Sequence, residues 1–336
     1  MMTIKHPKIS VLGAGEIGCT LAYMLCEKNL GDVVLHDFRK DLSKGRALDI
    51  LHTRPLNKSG IHITGTNEIT DIKDSVVVVV TVEVSEREFA EFDEVDIEKQ
   101  VHTSNVKLLK EVAQAIKKHC PQAFVIVTTN PVDHMAKILQ ESANIPLHKI
   151  CGLTGALFST RLRHNLAEKL RVNPGDVQGF VIGSQRNKML FLPRFCCVNG
   201  IPLSFFTKIG TITEKEIVQI VEKTKNAHLE LMELLPEGSV CFAPSLAITE
   251  IIEAHLKDLK RVIVCSVMLN GQYGYKSIFA GVPVVIGRKG IEKIIELDFN
   301  AAEKELFKES IQEITEKPTN DKHEAVVDEE QEKPAN

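Results

Sequence analysis

Residues 8–37 read KISVLGAGEIGCTLAYMLCEKNLGDVVLHD, and the pattern of this stretch decides the fold. Lys8 to Leu12 is a short, largely apolar run, followed at once by Gly13, Ala14, Gly15, Glu16, Ile17 and Gly18. Apolar positions then recur at helical spacing through Leu21, Met24 and Leu25. Gly31 closes the predicted helix, and Asp32 to His36 reads as a second strand. A G-x-G-x-x-G spacing between strand and helix has a mechanical meaning. Gly13 permits the sharp turn, Gly15 lets a pyrophosphate approach the backbone, and Gly18 lets the helix pack on the strand. The helix N-terminus then offers unpaired N–H groups and a positive dipole end to the phosphates.

Asp37 follows Gly18 by 19 residues (37 − 18), at the end of the second strand. A carboxylate there accepts both ribose hydroxyls of an adenosine and repels a 2′-phosphate. A glycine triplet alone marks many tight turns. Strand, helix and acid together predict a dinucleotide site built on Gly13, Gly15, Ile17, Gly18 and Asp37, with NAD as its cofactor.

At 336 residues the chain is long enough for two domains with ample core. No apolar run reaches membrane-spanning length, and the first strand begins too early to leave room for a signal peptide. The eight cysteines are scattered, without a C-x-x-C pair or metal-ligand spacing. Adjacent Cys196 and Cys197 would point to opposite faces of a strand. No metal is expected, and a reducing, cytoplasmic compartment fits this cysteine usage. Of the formal charge of −4, residues 317–336 hold six acids and three lysines, or −3, which leaves −1 for everything else. That balance excludes a nucleic-acid surface, which needs a basic patch. The tail has two prolines and no helical stripe and is expected to be disordered.

Beyond Asp37, Leu42 to His52 predicts a helix, Ile61 to Gly65 a short strand, and SVVVVVTV (Ser75 to Val82) a strand buried on both faces. From Glu83 to Lys99 the chain is charged and almost without apolar periodicity, and a long helix follows to about Lys118. Ala123 to Thr129 predicts another buried strand, ending in Asn130-Pro131 and a helix through Gln140. Strands alternating with helices predict a doubly wound parallel sheet, a Rossmann-type NAD-binding domain over residues 1–145. Residues 146–316 read as an α+β substrate domain. Its helices lie at Leu157–Leu170, Glu214–Leu235, Ala243–Leu256 and Asn300–Ile314. Its strands fall between Val181 and Phe206, with an Asn199-Gly200 turn, and at Arg261–Leu269 and Val282–Gly287.

These residues resemble the NAD-dependent malate and lactate dehydrogenases from Lys8 to about Ile314. The resemblance is carried by VLGAGEIG with Asp37, KGRALDILH, TTNPVD (Thr128 to Asp133), KICGLTGALFSTRLR (Lys149 to Arg163), VNGIPLSFF (Val198 to Phe206) and FAPSLA (Phe242 to Ala247). It is similar above all to the branch of bacterial malate dehydrogenases and apicomplexan lactate and malate enzymes. The resemblance implies hydride transfer between the nicotinamide and C2 of a small 2-hydroxy or 2-oxo acid, in a homodimer or homotetramer. In that family a histidine in a G-G-H-G-D-like turn exchanges the hydroxyl proton, and an aspartate in a D-S-x-R helix orients it. The arginine of D-S-x-R clamps the substrate carboxylate, and a second arginine, on a mobile loop, polarises the carbonyl.

Carried over residue by residue, the resemblance gives Arg161 as the clamp and Asn130 as the asparagine that touches both nicotinamide ribose and substrate. It gives Gln185 where the family has its histidine and Phe158 where it has its aspartate. The mobile-loop arginine falls on Glu98, counted back from Asn105, and the glycine after the fourth strand is Glu83, whose carboxylate would repel a pyrophosphate unless it turns to solvent. Other groups that could supply a proton or a charge are His102, His134 and His164, and Arg87 and Arg186; each also reads as a packing or surface residue. Two functions follow. One is a family member that binds NAD(H), with room for a 2-oxo acid on Arg161, but is catalytically impaired, acting by binding or by assembling with an active relative. The other is an oxidoreductase on malate or lactate with rearranged acid–base groups.

Overall fold

The computed structural model describes residues 6–84, 94–185, 188–235 and 240–315; of the side chains in the first turns of the helix that begins at Glu94, those of residues 94–96 and 98 are outside this description. The chain opens with β1 (Lys8–Leu12), α1 (Glu16–Glu27), β2 (Asp32–His36), α2 (Leu42–Asn57) and β3 (Ile63–Thr66). A return to the centre gives β4 (Val77–Val80), α3 (Glu94–His119), β5 (Phe124–Val127), α4 (Val132–Ala143) and β6 (Ile150–Gly152). These six strands are parallel in the order β6-β5-β4-β1-β2-β3, so the direction of winding reverses between β1 and β4. That reversal opens a crevice at the carboxyl ends of the two strands, the usual ligand position in such sheets.

The apolar strands explain the layering. In β4, Val77 and Val79 pack into the core on one face, and Val78 and Val80 into the core beneath α3 and α4 on the other. Period-two alternation with both faces buried is why this strand reads as an unbroken valine run.

Past β6 come α5 (Gly155–Leu170), the short strands β7 (Val177–Gln178), β8 (Val181–Ile182), β9 (Leu190–Phe191), β10 (Cys197–Val198) and β11 (Ile201–Pro202), then α6 (Leu203–Lys208), α7 (Glu214–Leu234) and α8 (Phe242–Leu256). The β10–β11 hairpin turns on Asn199 and Gly200, both at positive φ, as the Asn-Gly pair predicts. The chain ends with β12 (Arg261–Asn270), β13 (Lys276–Gly287), β14 (Gly290–Ile294) and α9 (Ala301–Thr315).

Three features differ from the sequence reading. The helix expected to stop at His52 runs on to Asn57, through Pro55. The strands read within the α+β domain, whose sheet partners the sequence did not indicate, extend the first sheet: β12 pairs antiparallel with β6 at Ser266 and Gly152, and β13 and β14 follow it outwards. Gly152 makes this junction possible, since a Cβ there would lie 2.3 Å from Val132 Cγ1 and 3.1 Å from Ser266 Cβ. The edge strand β14 was not expected because its turn is Arg288-Lys289 rather than a glycine or asparagine pair. Asp258 and Glu292 hold that turn by accepting the Arg288 and Lys289 N–H groups at 2.7 and 3.2 Å. Arg87, Arg186 and the acidic tail lie outside the described residues.

At the junction, Ser266 Oγ donates to Asp133 Oδ1, tying α4 to β12. Burial pushes the Asp133 carboxyl up to about 7, with Glu313 adding to the rise and the Ser266 bond opposing it. A carboxyl that protonates more readily in the folded chain stabilises it fully below pH about 4, and that contribution is lost as pH rises through about 7. Asp133→Asn is therefore expected to flatten the pH dependence of the unfolding free energy, measured by urea titration between pH 4 and 8; an unchanged slope would show that Asp133 is not its source.

Candidate active site

The glycine turn is built by close approach. Gly13 has φ +112°, and its N–H donates to the His36 carbonyl at 2.8 Å, joining the ends of β1 and β2. A Cβ on Gly18 would lie 1.8 Å from the Gly13 carbonyl oxygen, so only glycine lets α1 start there. Around Gly15, by contrast, an added Cβ would meet nothing within 4 Å. Gly15 is also the N-cap of α1, and no side chain caps the helix. The first-turn N–H groups thus face an open cradle of the kind that holds a pyrophosphate. These residues fit NAD.

Asp37 is buried at the end of β2. Its Oδ2 accepts the Ala14 N–H at 2.7 Å, so the acid also braces the glycine turn. Arg39 donates to Asp37 from its backbone N–H and from its guanidinium. Burial raises the Asp37 carboxyl, but these bonds outweigh it and hold the group below its ordinary value. Ile17 packs against the core, and its carbonyl accepts from Ser245 Oγ at 3.0 Å. That bond gives the FAPSLA stretch its position: α8 locks the start of α1.

On the other side of the crevice, Thr128 and Thr129 donate to the carbonyls of Val80 and Val82 and align the ends of β4 and β5. Asn130 follows, exposed, and its backbone N–H donates to Glu83 Oε1 at 3.2 Å. The Glu83 carboxylate is thus exposed and engaged with the Asn130 amide. Buried Asn105 accepts the Val84 N–H at 2.8 Å and fixes the next residue of the same segment.

The β8–β9 turn carries Gln185, whose Nε2 donates to the Leu153 carbonyl at 2.7 Å. Leu153 leads into α5, which carries Phe158 and Arg161, so the turn is tied to the start of that helix. The Leu153 N–H reaches the Val127 carbonyl at 2.9 Å, three residues before Asn130. Arg161 Cζ stands 5.3 Å from the centre of the Phe158 ring. The guanidinium has no hydrogen-bond or ion-pair partner among the described residues, and burial lowers its pKa. A half-buried cation lying over a ring and lacking a counter-ion is ready for an anion of planar, two-oxygen shape.

The remaining candidates are dispersed. His102 Nε2 and His134 Nδ1 are 3.0 Å apart, joining α3 to α4, and His164 is exposed on α5. The Glu98 side chain lies outside the described residues. Among the described residues no three His, Cys, Asp or Glu side chains form a metal-holding group, all eight cysteines are free, and no helix is long and apolar enough to cross a membrane.

Sequence reasoning passed over three supports of the site. Thr81 Oγ1 donates to the Leu12 and Gly13 carbonyls beneath the glycine turn. Ser310 Oγ accepts the Ser184 N–H at 2.8 Å, and Glu313 accepts from Ser184 Oγ and, at 3.1 Å, the Lys188 N–H, so α9 clamps both sides of the Gln185 turn. Gly183 at φ +84° is the one local signal, since α9 stands where its Cβ would be, with Ser310 Oγ at 2.1 Å. The third is Arg39.

Residues 7–152 match the family model of the lactate/malate dehydrogenase NAD-binding domain, and residues 156–325 that of the lactate/malate dehydrogenase alpha/beta C-terminal domain. The chain belongs to the lactate/malate dehydrogenase family. It is similar to a malate dehydrogenase of Methylobacterium radiotolerans, 39% identical over 308 residues, 92% of this chain and 94% of that one. Among solved structures, the lactate dehydrogenase of Eimeria maxima with NADH and oxamate is 41% identical with a TM-score of 0.87, covering 94% of each chain. The malate dehydrogenase of Plasmodium falciparum in complex with NADH is 35% identical with a TM-score of 0.84, covering 92% of this chain and 96% of that chain. The family's cofactor, NAD, is the one the crevice fits.

The two helix-start glycines separate packing from ligand approach. Gly18→Ala is expected to destabilise the fold by more than about 2 kcal/mol. Gly15→Ala is expected to cost less than about 1 kcal/mol in a urea titration yet to weaken NADH binding. Equal losses in both measurements for both variants would contradict the division.

Proposed function

We propose that this family member binds NAD(H) and a small 2-oxo or 2-hydroxy acid but carries out little or no hydride transfer. The observations that support the reading are Gln185 tied to the Leu153 carbonyl just ahead of α5, and Arg161 over the Phe158 ring with no counter-ion among the described residues. Arg161 would take the carboxylate in a two-bond fork, and Asn130 would face the ligand from the opposite side of the crevice.

NAD supplies the hydride acceptor of the family's reaction. Moving the hydride requires a proton to leave or reach the substrate oxygen, and a glutamine amide has none to exchange at ordinary pH. It can orient a carbonyl by donating to it. A positioned acid–base group contributes ~10²–10⁴ in rate, so that factor is the expected loss. Phe158 is consistent with this reading: where no imidazolium forms, a buried carboxylate would only cost desolvation.

NADH oxidation by the purified protein with oxaloacetate and with pyruvate tests the reading, beside the double variant Phe158→Asp, Gln185→His. No wild-type turnover with a gain in the variant is the expected result. Turnover at an ordinary enzyme rate would establish the second function, a malate or lactate dehydrogenase with another proton carrier. In calorimetry Arg161→Ala is expected to abolish binding of either acid; unchanged affinity would remove Arg161 from the site.

We further propose that the protein acts as a homodimer or homotetramer, or pairs with an active relative. Tyr23 on α1, Leu48 on α2, and Phe242 and Leu246 on α8 are all at least 42% exposed, on helices that pack together through α1. Sedimentation should show an oligomer that Leu246→Asp dissociates; a wild-type monomer would leave this surface without that role.

A further inference from the structure

The acid expected to read the adenosine ribose has all its acceptor positions engaged by the protein. Oδ1 of Asp37 accepts the Arg39 backbone N–H at 2.9 Å and Arg39 Nε at 3.0 Å; Oδ2 accepts the Ala14 N–H at 2.7 Å and Arg39 Nη2 at 2.9 Å. Four bonds fill the roughly four lone-pair positions of a carboxylate. A ribose diol can take them only by displacing the Arg39 guanidinium.

The turn that holds Arg39 is itself fixed. Asn67 Nδ2 donates to the carbonyls of both Asp37 and Arg39, at 2.7 and 2.8 Å. The Arg39 side chain nevertheless remains 67% exposed, against 8% for Asp37, so it can turn from the acid towards a ligand without moving the backbone. Among the neighbouring charges three ion pairs form, and Glu68 and Asp71 add negative charge close to His36. Glu16 meets Arg46 at 3.3 Å, Asp41 meets Lys44 at 3.1 Å, and Asp37 meets Arg39. Lys40, exposed beside Arg39, adds a positive charge to this surface.

We propose that Arg39 makes the adenosine end of this cofactor site accept a 2′-phosphorylated nicotinamide dinucleotide as well as NAD. A lone carboxylate at this position repels a 2′-phosphate, whereas an arginine beside it accommodates one. The guanidinium fork suits the phosphate oxygens, and Asp37, released from part of its pairing, keeps an oxygen for the remaining ribose hydroxyl. Binding of plain NAD carries the cost of breaking the Asp37–Arg39 pair; binding of the phosphorylated form replaces that pair with another.

Fluorescence titration of the full chain with NADH and with NADPH tests this, in the wild type, Arg39→Ala and Arg39→Lys. The expected wild-type dissociation constants lie within about tenfold of each other. Arg39→Ala should raise the NADPH-to-NADH ratio by at least about tenfold, through weaker NADPH binding, while NADH holds or tightens. Arg39→Lys, which keeps the charge and loses the fork, should fall between. A wild-type preference for NADH above about tenfold, or an Arg39→Ala variant that weakens both coenzymes equally, would overturn the proposal while leaving the NAD site in place. Failure of both coenzymes to bind would overturn the NAD site with it.

Discussion

One backbone contact governs the cofactor half of this molecule. The Gly13 carbonyl lies where a side chain on Gly18 would be, so α1 can start only if both positions are glycine-like in space. Around that contact the structure adds braces from every direction. His36 accepts the Gly13 N–H, Asp37 accepts the Ala14 N–H, Thr81 donates to the Leu12 and Gly13 carbonyls, and Ser245 reaches the Ile17 carbonyl from α8. The crevice, the open face at Gly15 and the uncapped helix end all follow from this packing.

That constraint explains what could be read from the sequence. A turn that tolerates no side chain writes itself as glycine at fixed spacing, and strands buried on both faces write themselves as valine runs, as at Val77–Val80. Asn199-Gly200 announced its hairpin because both residues need positive φ. Contacts made at long range left weaker traces. The union of β12 with β6 depends on Gly152 facing Ser266, two residues more than a hundred positions apart, and nothing in either neighbourhood announces the other. The clamp of Ser310 and Glu313 on the Gln185 turn is of the same kind. Arg39 was passed over because a surface arginine in a charged turn carries no spacing signal; its significance lies in the fourfold bonding of Asp37.

The part of the chain beyond β6 is organised by what accompanies a charge. Arg161 is held over an aromatic ring, while Arg194, elsewhere in the same half, has a carboxylate partner in Glu303. A guanidinium without a counter-ion is costly to keep half-buried, and an aromatic face lowers that cost without competing for the fork. Under the proposed reading, Phe158 and Gln185 are therefore a matched pair of changes: the ring supports the clamp, and the amide, tied to the Leu153 carbonyl, keeps the turn in place against α5.

The junction of β6 and β12 carries a mechanical consequence. Because the outer strands β12–β14 continue the same sheet that holds the glycine turn, the two halves are joined through the Ser266–Gly152 pairing, reinforced by the Asp133–Ser266 bond beside it. A wholesale hinge between them would have to break that pairing and that bond together. The crevice and the glycine turn therefore rest on one common anvil, the sheet itself.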